Sequence, residues 1–344
     1  MLTHSTLTVL ETARVYAPSL VGEPISMQSA PFSTRLQIAH VADFDLSALQ
    51  RLSAQNHAYD RLDWWALDEW HHSEAFVGLR LGISSNQRKL FGSVPKPNEL
   101  AAALLVVPIE YTETHLLSSA RNPVAWLRWC AILNGLSPSA STTFMLQEAI
   151  RRLQQTVVHE LWCISEMRSW LGLALQDFGF NPVDELITMR HDSSTPGLGS
   201  LPRNTRIRVL RREQLNNAVI KTIQQIDHAA FESQWQYSDH MLQAAFEQSF
   251  YVSLIEREGV LLGYQCAALN GSDAHIVRLA IAPAEQGHGL GEVLLRNCLR
   301  ELKLFGARDI TLNTPGSNHI SQRLYRRVGF VRVRQSLTAF QKVI

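Results

Sequence analysis

Three glycines lie within residues 286–291, between a segment that alternates like a β-strand and one that is spaced like an amphipathic helix. A glycine-rich loop at a helix N-terminus leaves backbone N–H groups free to face a phosphate, and the helix dipole favours the negative charge. The chemistry that this stretch could do is therefore to hold a phosphate group. A left-handed turn between strand and helix would need the same glycines, so the loop alone leaves both interpretations open.

Two common phosphate-binding patterns do not fit this loop. The dinucleotide pattern G-x-G-x-x-G needs a third glycine where Glu292 stands. The P-loop pattern ends in Gly-Lys-Ser/Thr, whereas Gly291 is followed here by Glu292. Neither of these two ways of binding a nucleotide is therefore predicted.

A second group of polar side chains follows after one more predicted strand. Asn318 precedes a short predicted helix, Tyr325 lies late in that helix, and Gly329 and Phe330 close it. Glycine at this closing position ends a helix well because it adopts the left-handed conformation without strain. Asn318 could cap the helix, and the phenol of Tyr325 could donate a hydrogen bond or a proton.

Together the two segments resemble the Gln/Arg-x-x-Gly-x-Gly/Ala loop and the Asn…Tyr…Gly-Phe helix of the GNAT superfamily, the GCN5-related N-acetyltransferases. Gln286, Gly289 and Gly291 fall on the three loop positions. The resemblance implies that acetyl-CoA is the cosubstrate and that the loop amides hold its pyrophosphate. It also implies that the backbone of the preceding strand meets the pantetheine arm and the thioester oxygen. The residues that it assigns to acetyl-CoA are Leu279, Ala280, Ile281, Gln286, Gly287, His288, Gly289, Leu290, Gly291 and Asn318.

The resemblance makes Tyr325 the general acid at the departing thiolate, and a tyrosine that only packs on a helix face is the alternative. The pattern does not determine the base. His275, at the start of the central strand, is the first candidate because imidazole titrates near neutral pH. Glu256 and Asp239 are further candidates, and a relay through water would require none of these side chains.

The resemblance places Trp235 and Tyr237 in the loop that borders the acceptor site in this family, and ordinary core or surface aromatics are the equal alternative. Arg278 stands alone in an apolar strand and is interpreted as snorkelling towards water. No metal site is predicted, since the His71-His72-Glu74 cluster is typical of a solvated helix face.

The elements that must position these residues form one α/β unit. A hairpin is predicted at 251–269 and the central strand at 275–281, after helices at 215–231 and 238–250 with Ser238 as an N-cap. A further strand at 307–313 and a last one from Phe330 complete the unit.

The preceding part of the chain repeats this unit without its chemistry. Residues 132–150 and 281–299 run over equal lengths from strand to helix, although the helix of the first copy is predicted only from Phe144. An ungapped match between the copies replaces the site residues as follows: Gln286 by Ser137, Gly287 by Pro138, Gly289 by Ala140, Gly291 by Thr142 and, through the Gly-Phe pair, Tyr325 by Leu175.

The predicted fold is therefore α/β (α+β), with two tandem GNAT-like domains that each contain a mixed, largely antiparallel sheet flanked by helices. The predicted boundaries are an N-terminal extension at 1–33, a degenerate GNAT-like domain at 34–191, a linker at 192–205 and an acetyltransferase domain at 206–344. Trp64, Trp65 and Trp70 are expected on one amphipathic helix within 60–74.

The composition is typical of an ordinary globular protein, with 46 % hydrophobic residues, 18 % charged residues and a net charge of +1. The near-zero charge gives no reason to expect nucleic acid or an anionic membrane as a partner. All four cysteines lie in apolar runs without C-x-x-C spacing, which favours buried thiols, and no secretory signal is evident. A cytoplasmic location is therefore expected.

The sequence predicts an acetyl-CoA-dependent N-acetyltransferase that acts on a primary amine of a small molecule or a peptide, by direct transfer in a ternary complex. The alternative is a non-catalytic acyl-CoA sensor or scaffold. Tyr325 favours the enzyme, and the lack of an obvious carboxylate base keeps the alternative open. The identity of the acceptor and the oligomeric state do not follow from the sequence.

Overall fold

The computed structural model describes residues 36–39, 46–55, 57–60, 77–81, 100–109, 123–192, 197 and 200–344. The N-terminal extension and the helix predicted around Trp64, Trp65 and Trp70 lie outside these residues. The described residues form two repeats of one α/β unit, as the sequence predicts, and we call them the first repeat (up to residue 191) and the second repeat (from residue 205). The domain boundaries themselves remain a prediction.

The described part of the first repeat runs from strand to helix in an order that the second repeat follows closely. Its elements are β1 (Leu36–Ala39), α1 (Leu46–Ser53), β2 (His57–Asp60), β3 (Val77–Leu81), β4 (Leu100–Pro108), β5 (Val124–Ile132), α2 (Pro138–Leu153), β6 (Glu160–Ser165), α3 (Trp170–Asp177) and β7 (Asn181–His191).

The second repeat carries the glycine loop and Tyr325. Its elements are β8 (Thr205–Val209), α4 (Asn217–Ala230), α5 (Asp239–Gln248), β9 (Tyr251–Arg257), β10 (Val260–Asn270), β11 (Asp273–Ile281), α6 (Leu290–Leu304), β12 (Asp309–Pro315), α7 (His319–Arg327) and β13 (Phe330–Val343). The helix α5 has the predicted cap, since Ser238 Oγ accepts a hydrogen bond from the Met241 N–H at 3.2 Å.

One continuous sheet joins the two repeats within the described residues. Its strand order is β1-β3-β4-β5-β6-β13-β7-β12-β11-β10-β9-β8, and β2 pairs with β5 beside this path. The strands β7 and β13 exchange places, because β13 of the second repeat lies between β6 and β7, and β7 of the first repeat lies between β13 and β12. Each repeat therefore completes its sheet with a strand from the other.

Both repeats share a bulge and a strand separation at the same place. In β11 the bulge residue is Val277, because Arg278 pairs with Cys266 and Ile276 with Ala267. In β5 the bulge residue is Arg128, between Trp129 and Leu127. Parallel pairing to the next strand stops just before each bulge, after Ile276 in β11 and after Trp126 in β5. The equal-length match of the two copies is therefore correct for these strands.

The gap that opens behind the bulge differs between the repeats. In the first repeat β2 fills it, since residues 57–60 pair antiparallel with residues 132–129 of β5. In the second repeat residues 278–281 of β11 pair with β10 on one edge, and residues 277–281 have no strand partner among the described residues on the other. Gln286 Nε2 donates to the Ile281 carbonyl of that edge, and the remaining backbone groups there, without a strand partner in the described part of the chain, are open to a ligand.

The helix α2 begins six residues earlier than the sequence predicts, at Pro138 instead of Phe144. Ser137 caps it, with its Oγ accepting a hydrogen bond from the Ala140 N–H at 3.3 Å, and proline fits the first helical position because it needs no N–H there. Residues 137–142 are therefore a cap and a first helical turn. The prediction that this helix begins only at Phe144 is wrong.

Candidate active site

The centre of the site is the free edge of β11 together with the glycine loop that follows it. The side chains of Leu279 and Ile281 pack towards α6, and Ala280 is 3 % exposed in the core against α4 and α5. These side chains therefore serve the core, and the gap beside β12 is left to the backbone groups of the unpaired β11 edge.

The loop presents open backbone at two glycines. Gly287 and Gly289 have φ values of 81° and 79°, and a Cβ built on either would have no atom within 4 Å. Gly289 is the N-cap of α6 and makes no side-chain capping bond. Within the described part of the chain, the N–H groups of residues 287–292 have no intramolecular acceptor. A row of unpaired amides at a helix N-terminus suits a phosphate, so the residues present fit a CoA pyrophosphate.

A carboxylate beside this helix start would repel a phosphate, but its charge is compensated here. Glu292 accepts hydrogen bonds from Arg296 at 3.0 Å and from Arg327 of α7 at 3.1 Å. Burial raises the pKa of Glu292, but these two arginines outweigh that effect and hold it below the usual range. The negative charge of Glu292 therefore does not set the electrostatic potential at the loop, where a phosphate would bind.

The two polar side chains of the loop hold the loop itself in place. Gln286 Nε2 donates to the Ile281 carbonyl at 3.0 Å, and His288 Nδ1 lies 3.3 Å from the Glu285 carbonyl. Gln286 therefore joins the loop to the end of β11.

Asn318 caps α7, since its Oδ1 accepts a hydrogen bond from the Ser321 N–H at 3.0 Å. The segment before it is held by the first repeat, because Asp184 of β7 accepts a hydrogen bond from Ser317 Oγ at 2.6 Å. The cap is one of the two roles that the sequence left open for Asn318. Contact with a pantetheine arm remains a prediction.

Tyr325 is 9 % exposed and packs beside Phe330 in the core between α6, α7 and the sheet. Burial raises its pKa to about 12, while a hydrogen bond with Ser321 and the charge of Arg278 act in the opposite direction. The phenol is therefore protonated at neutral pH and available as a hydrogen-bond donor.

The three base candidates have different surroundings. His275 Nδ1 lies 2.9 Å from Thr311 Oγ1, and burial lowers the pKa of the imidazole to about 4. Glu256 is bound by Arg206 and Arg208 at 3.0 and 2.8 Å, which keep its pKa low although burial alone would raise it. Asp239 lies in the first turn of α5, where its Oδ1 is buried without a hydrogen-bond partner.

Arg278 does not snorkel, so that interpretation is wrong. It is 9 % exposed, and Asp227 of α4 binds it at 2.7 and 2.8 Å and also accepts a hydrogen bond from the Tyr264 hydroxyl. Burial lowers the pKa of the guanidinium, but the Asp227 charge outweighs this and raises it. Sequence reasoning missed the pair, although Asp227 interrupts the apolar stripe of α4 just as Arg278 interrupts β11.

The comparisons with known proteins agree with this geometry. Residues 220–330 match the family model described as the acetyltransferase (GNAT) family. A Bacillus subtilis (strain 168) protein named "Putative ribosomal protein bS18-alanine N-acetyltransferase" is 31 % identical over 124 residues, which cover 36 % of this chain and 78 % of that protein. The chain belongs to the GNAT family of N-acetyltransferases.

Two solved structures share the fold over nearly the whole chain. A GCN5-related N-acetyltransferase from Sphaerobacter thermophilus has a TM-score of 0.53 at 13 % identity, covering 90 % of this chain and 95 % of its own. A tandem GNAT protein from the clavulanic acid biosynthesis pathway has a TM-score of 0.54 at 12 % identity, covering 90 % and 98 %. The tandem arrangement of two GNAT-like domains thus has a known structural counterpart.

The GNAT assignment makes the chain an acyltransferase, and enzymes of this family generally use acetyl-CoA. Among the described residues, no group of three or more His, Cys, Asp or Glu side chains could hold a metal ion. None of the described helices combines the length and the apolarity that a membrane span requires. All four cysteines are free and buried, as predicted.

Proposed function

We propose that this protein acetylates a primary amine of a small molecule or a peptide by direct transfer from acetyl-CoA in a ternary complex. The observation that carries the proposal is the free edge of β11, which continues into a loop of unpaired amides in the second repeat alone. The residues 287–291 hold the pyrophosphate, and the backbone of Leu279–Ile281 meets the pantetheine arm and the thioester oxygen.

In this proposal Tyr325 acts on the departing sulfur. The amine nitrogen attacks the thioester carbonyl carbon, the C–N bond forms, the C–S bond breaks and the electron pair leaves with sulfur. A phenol with a pKa of about 12 is a weaker acid than a thiol, whose reference pKa is about 8.5. Tyr325 therefore stabilises the thiolate chiefly by donating a hydrogen bond.

The surroundings of the base candidates favour an acceptor that loses its proton easily. A histidine with a pKa of about 4 is a weak base, and Glu256 is already bound by two arginines. Deprotonation at pH 7 costs about 1 kcal/mol for an α-amine and about 4.6 kcal/mol for a lysine side chain. We therefore favour an α-amine that releases its proton to water, with His275 kept as the side-chain alternative. The name of the Bacillus subtilis relative, an alanine N-acetyltransferase, supports the same class of acceptor.

A panel of amines tests this function. CoA thiol release is measured with an alanyl hexapeptide that has a free α-amine, the same peptide with a blocked α-amine, and a peptide whose one free amine is a lysine side chain. Release is expected with the free α-amine and not with the blocked peptide. Tight acetyl-CoA binding without turnover on any amine would contradict the proposal and favour the acyl-CoA sensor.

A further inference from the structure

The segment between α4 and α5, residues 231–237, is held from two sides, and we call it the acceptor wall. On the side of its own repeat, Arg278 Nη2 donates to the Trp235 carbonyl at 2.6 Å. The guanidinium also lies between the rings of Phe231 and Tyr237, 3.8 Å from each ring centre. Because Arg278 directly follows the bulge in β11, the wall lies beside the place where β11 leaves β12.

The other side of the acceptor wall rests on the first repeat. The indole N–H of Trp126 donates to the Gln234 carbonyl at 2.9 Å. The rings of Trp126, Trp162 and Trp235 form a cluster, with ring centres 5.4 to 6.4 Å apart. Trp126 and Trp162 are 2 % and 6 % exposed, so the contact is a packed one.

The two tryptophans occupy a special position in the first repeat. Trp126 pairs with Trp162 at the last contact before β5 and β6 separate. The equivalent residues of the second repeat are His275 and Thr311, which pair near the corresponding end of the β11–β12 contact. The first repeat therefore binds the acceptor wall of the second repeat at the point where β5 and β6 separate. At the equivalent point the second repeat has the polar pair of His275 and Thr311.

We propose that Trp126 and Trp162 are positioning residues, through which the first repeat fixes the acceptor wall and thereby the binding of the amine acceptor by the second repeat. This inference rests on the proposed function, because it assumes that an amine enters beside residues 231–237. Neither tryptophan touches the glycine loop, so acetyl-CoA binding does not depend on them.

The test compares two tryptophans of the same strand in the full-length protein. Trp126→Phe removes the hydrogen bond to the wall, whereas Trp129→Phe removes an equivalent bond, from the indole to Ser53 Oγ at 3.1 Å, inside the first repeat. Hydrogen–deuterium exchange of residues 231–237 is expected to become about tenfold faster in the first variant, since one buried hydrogen bond and its ring contact hold the wall. It should stay unchanged in the second. Unchanged exchange in Trp126→Phe, or an equal rise in both variants, would overturn the inference.

Steady-state kinetics with the alanyl hexapeptide distinguish a specific effect on acceptor binding from a general loss of structure. Trp126→Phe should raise the KM for the peptide about tenfold while the Kd for acetyl-CoA stays within about twofold of the wild type. Trp235→Leu, which removes the contact by changing the acceptor wall itself, should likewise raise the KM for the peptide and leave the Kd for acetyl-CoA nearly unchanged. A loss of acetyl-CoA affinity in step with the KM would overturn the inference. Hydrogen–deuterium exchange can be measured without an acceptor. A wild-type protein that is inactive on every amine would contradict the proposed function, but the exchange rates would still show whether the first repeat holds the acceptor wall.

Discussion

The two repeats have the same backbone around the bulge, yet among the described residues they differ in whether the strand edge behind it is paired. Each central strand leaves its parallel neighbour just before or at the bulge. In the first repeat the gap is filled by β2, and the following helix begins with Ser137 as a cap and Pro138, which has no N–H. In the second repeat residues 277–281 have no strand partner on the β12 side, and the amides of residues 287–292 have no acceptor, among the residues that the structure describes.

From this difference we expect that the GNAT fold alone is not sufficient for binding acetyl-CoA. A strand edge that already pairs with β2 has no backbone donors left for a pantetheine arm. A helix start whose amides are capped or replaced by proline has fewer donors for a pyrophosphate. The first repeat keeps its core, exchanges a strand with its partner and contributes contacts to the acceptor wall.

The largest effect is expected where the repeats differ directly after the bulge. At this position the first repeat has Trp129, which bonds Ser53, and the second has Arg278, which bonds Asp227. Asp227→Asn leaves a buried guanidinium without its counter-charge and should lower the free energy of unfolding by about 3–5 kcal/mol.

Chemical denaturation measures this change. Glu185→Gln is the matched control, because it breaks the 2.5 Å pair with Arg332, in which both side chains are more than 40 % exposed, and should cost less than about 1 kcal/mol. An equal decrease in the free energy of unfolding in the two variants would show that the buried pair of Asp227 and Arg278 contributes no more to stability than an exposed pair.

The next effect concerns Tyr325, for which the first repeat has Leu175, buried at 0 % exposure. Tyr325→Phe should lower turnover about 100-fold with acetyl-CoA affinity nearly unchanged, because the phenol acts on the departing sulfur. Steady-state kinetics and calorimetry check the two parts. Tyr251→Phe, which removes a buried hydroxyl bonded to Asn297 at 2.6 Å, should leave turnover unchanged. Full activity of Tyr325→Phe would remove the assigned role.

The smallest effect concerns His275, which stands where the first repeat has Trp126. Its folded pKa of about 4 lies below the usual value near 6.5, so the unfolded chain binds a proton first as the pH falls. The stability of the wild type should therefore decrease as the pH falls from 6.5 to 4. His275→Gln should show a smaller decrease in the same urea titrations. Parallel curves for the two proteins would show that His275 is not buried as described.

The sequence predicts the elements of the second repeat well because local signals mark them. The cap Ser238 and the closing Gly329 are single residues with one strong preference, and both act as predicted, while Asn318 takes the capping role that was one of its two open roles. Apolar spacing predicts the start of α2 too late, at Phe144, whereas the cap and proline at 137–138 start the helix. The sequence does mark this helix start, but it does so through its capping residues and not through its apolar periodicity.

Long-range pairing could not be predicted in the same way. The insertion of β2 beside β5 and the exchange of β7 with β13 depend on which free edge lies nearby in space, and strand periodicity does not specify a partner. The pair of Arg278 and Asp227 does not follow from the sequence for a related reason. The two residues lie on different elements, and only the packing of α4 against β11 brings them together.

The most direct test of the account is the number of acetyl-CoA molecules bound by one chain. Calorimetric titration of the full-length protein should saturate at one molecule per chain, because β2 fills the first gap. Gly289→Ala should weaken this binding at least about tenfold, since a Cβ keeps the pyrophosphate off the backbone, and Gly306→Ala, with a similar φ of 95°, should not. Two bound molecules, or one molecule whose affinity is unchanged in Gly289→Ala, would contradict the assignment of the site to the second repeat.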